Sequence, residues 1–147
     1  MHPQPDLTVR RHVLAPPETV FDAWTDPAHL MQWWGPKGIE CTHAEVDLKI
    51  GGRFRLANRA PDGTTVWISG TYEEIHRPGL LRHTWVIESA QAPIPELVTI
   101  EFLAAGEGTE IIITHAAIAT KQAWDGHQQG WFGCLDGLVE LLSEHPV

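Results

Sequence analysis

The chain has 147 residues, a length that fits one domain, residues 1–147, around a single core. Hydrophobic residues make up 43% and charged residues 20%, which excludes a disordered chain. A net charge of −9 without any Lys/Arg run opposes nucleic-acid binding, and no apolar stretch reaches the roughly 18 residues of a membrane span.

Residues 1–11 lack the apolar core of a signal peptide, so a cytoplasmic location is the expectation. Residues 7–14 alternate loosely and read as a strand that Pro16-Pro17 ends. Pro17 can open a short helix, where Val20, Phe21 and Trp24 share one face. Asp26-Pro27 starts a second short helix, with Asp26 as the cap. It carries Leu30, Met31, Trp33 and Trp34, and Gly35-Pro36 stops it.

From Ile39 the period changes to two. Strands are predicted at 39–47, 53–59, 65–75, 80–88, 97–104 and 109–116. Gly51-Gly52, Asp62-Gly63, Pro78-Gly79 and Gly106-Glu107-Gly108 supply the turns, and connections this short join antiparallel neighbours in a meander. Residues 89–96, with Pro93 and Pro95, form a longer loop expected to cover one end of the sheet. Within the second of these strands Arg53 and Arg55 share one face, read as the solvated one, and Phe54 and Leu56 share the other. Trp67, His83 and Trp85 are placed inward by the same parity, which a one-residue slip would reverse.

The last element is a helix from Lys121 to about Glu144, with Thr120 as its cap. Its apolar face holds Trp124, Trp131, Cys134, Leu135, Leu138, Leu141 and Leu142, and the sheet is the one large surface it could cover. The expected fold is therefore α+β: a curved antiparallel sheet of six or seven strands wrapped around a long C-terminal helix, with two short helices after the first strand. An apolar pocket between sheet and helix is expected with it.

Two features of the last helix stand out. Gly126, Gly130, Gly133 and Gly137 form one stripe, each costing about 1 kcal/mol against Ala. Close approach to another element, room for a ligand and contact with a second copy would each account for it. His127 sits among the apolar residues between Trp124 and Trp131 in angle. It is either a core histidine bonded to a backbone carbonyl or a polar group on the pocket wall.

The runs VFDAWTDPAHLMQWWGP (20–36), GGRFR (51–55), PDG (61–63), GTYEEI (70–75), TW (84–85), ITH (113–115) and HQQGWFGCLDGLVELL (127–142) resemble, in order and spacing, one family. These are the bacterial homologues of the ATPase activator of the ninety-kilodalton heat-shock chaperone, in the START-like, birch-pollen-allergen-like superfamily. The resemblance implies a helix-grip fold with a hydrophobic cavity, the Trp33-Trp34-Gly35-Pro36 segment at its mouth and His127, Gly130 and Trp131 on its wall. Relatives in the superfamily include lipid carriers, hormone receptors and polyketide cyclases, which share no fixed catalytic set.

No phosphate loop, nucleophile elbow or zinc motif is present, so no cofactor and no metal is expected. His43, His83, His115 and His127 could face one space but lack metal-ligand spacing. Cys41 and Cys134 read as buried, inert free thiols. Glu73 and Glu74 leave their strand on opposite faces and cannot serve one substrate.

The function the sequence favours is binding of a small apolar or aromatic molecule, with Trp34, Phe54, Leu56, Trp67, His83, Trp85, His127 and Trp131 as cavity candidates. The alternatives are a co-chaperone-like interaction domain and a cyclase- or hydrolase-type enzyme with His127 or His83 as general base. Catalytic residues are unknown, binding is favoured over catalysis, and a homodimer is left open.

Overall fold

The computed structural model of the chain describes residues 4–35, 38–88 and 94–144. In chain order its elements are β1 (Leu7–Val13), α1 (Pro17–Thr25), α2 (Pro27–Trp33), β2 (Glu40–Val46), β3 (Arg53–Arg59), β4 (Thr65–His76), β5 (Leu80–Ile87), β6 (Glu96–Ala105), β7 (Gly108–Ala116) and α3 (Lys121–Glu144). The seven strands form one antiparallel sheet in the order β1-β7-β6-β5-β4-β3-β2. Strands β2 to β7 are the meander that the short turns predict. The first strand returns to the last, with Leu7 opposite His115 and Val13 opposite Thr109. The curled sheet around a long terminal helix is a helix-grip fold. Pro36 and residues 89–93, on which the expected helix stop and covering loop partly depend, lie outside the described residues.

The helix starts follow from their caps. The Asp26 carboxylate accepts the Ala28 N–H at 2.8 Å and opens α2 in front of Pro27. The Thr120 hydroxyl accepts the Ala123 N–H at 3.1 Å and opens α3. Along α3, Trp131, Cys134, Leu135 and Leu138 are buried, and the helix also meets α2 and β1.

Strand alternation decides what lies beneath α3. The inward sets are Phe54, Leu56 and Asn58 on β3; Ile68, Gly70 and Tyr72 on β4; Leu81, His83 and Trp85 on β5. They continue as Glu96, Val98, Ile100 and Phe102 on β6, then Ile111, Ile113 and His115 on β7. Arg53 and Arg55 leave on the opposite face. One placement differs from the sequence reading. Leu56 pairs with Ile68, so Ile68 points inward and Trp67 outward. The outward Trp67 lies beneath the Arg55 guanidinium, 3.8 Å from its ring centre, and beside His43. Arg55 is also paired with Glu88 at 2.8 Å.

The glycine stripe divides into two parts. A Cβ on Gly137 would stand 2.5 Å from the Trp33 carbonyl oxygen, so this glycine permits the close crossing of α3 over α2. A Cβ on Gly126 or Gly130 would meet nothing within 4 Å, so close approach is not their reason. Gly130→Ala should therefore raise stability by about 1 kcal/mol through helix propensity. Gly137→Ala should lower it by about 1–2 kcal/mol, the overpacking cost exceeding the propensity gain. Urea melts of the two variants check this, and equal shifts would contradict the division.

Candidate functional site

Five of the seven tryptophans meet in one cluster. Trp131 of α3 lies 6.3 Å from Trp24, 5.5 Å from Trp34 and 5.3 Å from Trp85, measured between ring centres, and Trp33 packs on Trp24 at 4.8 Å. Trp33 donates its indole N–H to the Ala23 carbonyl, and Trp131 donates to His115 Nδ1 at 3.0 Å.

An indole N–H can only donate, so Nδ1 of His115 must carry the lone pair and Nε2 the proton. That proton is given to Glu96 Oε1, 2.7 Å away. The result is a buried chain from Trp131 through His115 to Glu96. Burial lowers the pKa of His115 and the nearby His127 adds to this, while the Glu96 bond works against it. Burial pushes the Glu96 carboxyl up, but the close contacts with His115 and His127 and their charge outweigh it and hold the group at about 2. Glu96 is therefore an anion at neutral pH.

His127 stacks on His115 with ring centres 4.2 Å apart. Its Nε2 stands 2.9 Å from Glu96 Oε1. That distance is an ion-pair contact with the Glu96 carboxylate, although it falls short of hydrogen-bond geometry. His127 is thus not the carbonyl-bonded core histidine that its position also allowed.

Ligand atoms of Glu96, His115 and His127 all lie within 4.8 Å of one another, a set that could hold a metal ion. Coordination through His115 Nε2 would move its proton to Nδ1, where it would face the Trp131 N–H. Metal-binding histidines normally donate their second N–H to an acceptor. The bonds present therefore suit a proton-holding chain better than a metal centre.

A cavity of about 150 Å³ opens between the sheet and α3, beside this chain. Its walls include Trp34, Trp85 and Trp131, with Asn58, Ile68 and Ile87 from the sheet and Gly126, His127, Gly130 and Cys134 from the helix. Three of these residues each carry a buried polar atom without a hydrogen bond among the described residues, Asn58 Oδ1, Trp85 Nε1 and His127 Nε2, and all three atoms are closed to water-sized contact.

Of the residues singled out from sequence, Trp34, Trp85, His127 and Trp131 come together here. Phe54, Leu56 and His83 line an adjoining space of about 20 Å³, room for a single water. Trp67 is remote, on the outer face. His43 is beside it and so does not join His83, His115 and His127. Asn58 and Glu96 were missed: strand parity places Asn58 on the inward face, whereas Glu96 was assigned to the loop ahead of a strand that in fact begins with it. A wider groove of about 810 Å³ runs along α2, Gly35–Cys41 and α3, but none of the unpartnered polar atoms faces it.

The thiols offer no activated nucleophile. Both are free and buried, and burial raises Cys41 and pushes Cys134 up to about 12.

A family model described as activator of Hsp90 ATPase homolog 1-like protein matches residues 14–143. No curated protein matches the chain. Among solved structures, the chain is similar to a protein from Chromobacterium violaceum, at 27% identity over 92% of this chain and 95% of that one, TM-score 0.85. It is similar to a protein from Silicibacter pomeroyi, at 25% identity over 96% and 100%, TM-score 0.84. It is also similar to an HSP90 activator from Plasmodium falciparum, at 27% identity over 94% and 96%, TM-score 0.75.

The buried histidines impose a pH dependence. Burial lowers His83 to about 4, against partial support from the Thr84 carbonyl that its Nδ1 contacts at 2.8 Å. Between about 6.5 and 4 the unfolded chain binds a proton that folded His83 refuses. Stability should fall through that window by up to about 3 kcal/mol from this residue, with His115 acting in the same direction. Urea unfolding at pH 7 and pH 4.5 should show a smaller loss for His83→Asn than for the parent chain; equal losses would remove His83 as a source.

Proposed function

The chain belongs to the family of activator of Hsp90 ATPase homolog 1-like proteins, and within it we propose that this protein binds a small single-ring compound in the cavity between β3–β5 and α3. The observation that carries this reading is a cavity of about 150 Å³ between sheet and helix, walled by Trp34, Trp85 and Trp131. The volume is of the order that takes up one benzene-sized molecule.

The helix supports the same reading. Gly126 and Gly130 each cost about 1 kcal/mol of helix propensity where a methyl group would meet nothing. Both line the cavity, so their lack of side chains leaves it room. With neither thiol primed for attack, binding accounts for the site better than nucleophilic catalysis.

Native mass spectrometry of gently purified protein should reveal an excess mass that disappears on denaturation. Gly130→Leu, which fills the space on an otherwise unhindered helix face, should fold normally and lack that mass. Retention of the mass in the variant would place the ligand elsewhere.

A second reading is contact with an Hsp90-class ATPase, favoured by the likeness to the Plasmodium falciparum activator. Under it, adding the protein to such a chaperone should raise ATP turnover severalfold, and Gly130→Leu should preserve the effect. Unchanged turnover at saturating protein would set this reading aside.

A further inference from the structure

Resting on the binding reading, we infer that the cavity is also a general-base site: His127, backed by Glu96, takes a proton from an acidic C–H of a small uncharged heteroaromatic ring. Three titratable groups meet beside the cavity, and their contacts with one another leave one nitrogen for a ligand. His115 is committed at both ends, its Nδ1 accepting from Trp131 and its Nε2 donating to Glu96. Glu96 stands behind both imidazoles, 2.7 Å from one and 2.9 Å from the other. A lone pair on His127 Nε2 would face that anion, so the ring proton sits on Nε2 and the lone pair on Nδ1. Nε2 is the closed nitrogen of this ring; Nδ1 is not among the closed atoms, and 12% of the side chain is exposed. His127 lines the cavity, so Nδ1 is the basic atom left for a ligand there.

The pair has the parts that proton abstraction needs. When Nδ1 takes a proton, the charge that forms on the imidazole lies against the Glu96 carboxylate, which stabilises it. His115 stacks on the same ring at 4.2 Å but is held neutral by Trp131 and Glu96, so it adds no opposing charge. The rest of the wall sets the substrate class. Trp34, Trp85, Trp131, Ile68 and Ile87 suit a flat apolar ring. Among the described residues no Lys or Arg lines the cavity to hold an oxyanion. The negative charge left on the substrate is therefore best spread through its own ring.

The probe for this chemistry is 5-nitrobenzisoxazole. The base removes its ring C–H proton, the C–H electron pair becomes part of a nitrile, the N–O bond breaks and the oxygen leaves as a coloured phenolate. No co-reactant is needed, and His127 returns the proton to water. At pH 7.5 the protein should turn the probe over with saturation, about a hundredfold or more faster per base than free imidazole. His127→Gln should remove this excess. Glu96→Gln should lower kcat about tenfold with KM unchanged, the mark of a positioning residue that acts through His127. Gly130→Leu should abolish saturation with the base intact, and His43→Gln, on the outer face, should change nothing.

Turnover no faster than imidazole while native spectra still show a carried mass would overturn the inference and leave the binding reading in place. Saturable turnover that survives His127→Gln would put the base elsewhere and overturn it too. If His127→Gln melts early in urea, Glu96→Gln and Gly130→Leu decide: unchanged kcat in the first or retained saturation in the second overturns the inference. Neither turnover nor a carried mass would remove both readings.

Discussion

Trp131 is the point where every layer of the molecule meets. Its ring touches the short helices through Trp24 and Trp34 and the sheet through Trp85. Its N–H ends on His115, at the C-terminal end of β7. Removing so large a buried ring would forfeit several kcal/mol of apolar burial, a substantial share of the 5–15 kcal/mol typical of a domain. It would also strand His115 and, through it, alter the support of Glu96. The position of α3 over the sheet is thus tied to the electrostatics of the site by one side chain.

The inward face of the sheet is mostly apolar, and each polar group on it has a traceable condition. His83 gives a proton to a backbone carbonyl, and His115 is held between Trp131 and Glu96. Asn58, Trp85 and His127 differ, since each keeps a buried atom without a partner among the described residues. Native proteins rarely leave such atoms unsatisfied. Their residues share the walls of one cavity, although the atoms themselves are closed to it. The glycines Gly126 and Gly130 on the helix side of this cavity separate it from an ordinary packing defect, because a helix without need of that space would gain from alanine there.

Much of the architecture was legible along the chain. The change from period two to period 3.6, the Gly- and Pro-marked turns and the caps at Asp26 and Thr120 locate the strands and helices to within a residue or two of their observed ends. The inward placement of Phe54, Leu56, His83 and Trp85 followed from parity. Parity misled at Trp67, where a large aromatic ring is drawn outward by the Arg55 guanidinium and the true inward residue is the smaller Ile68. An aromatic side chain on a strand carries no mark that distinguishes a core face from a cation-covered outer one.

The sequence by itself determined the order and period of the elements, and with them the helix-grip fold, because those depend on local backbone preferences and on which side chains avoid water. The site depended on contacts between residues far apart in the chain. Glu96, His115 and His127 come from two strands and a helix, and Asn58 and Trp85 from strands that do not adjoin. Whether a buried polar atom finds a partner is a matter of a few tenths of an ångström and of angle. His127 Nε2 shows this, lying 2.9 Å from a carboxylate yet out of line with it. Only the tertiary structure decides such geometry, since hydrogen bonding is directional where hydrophobic burial is not.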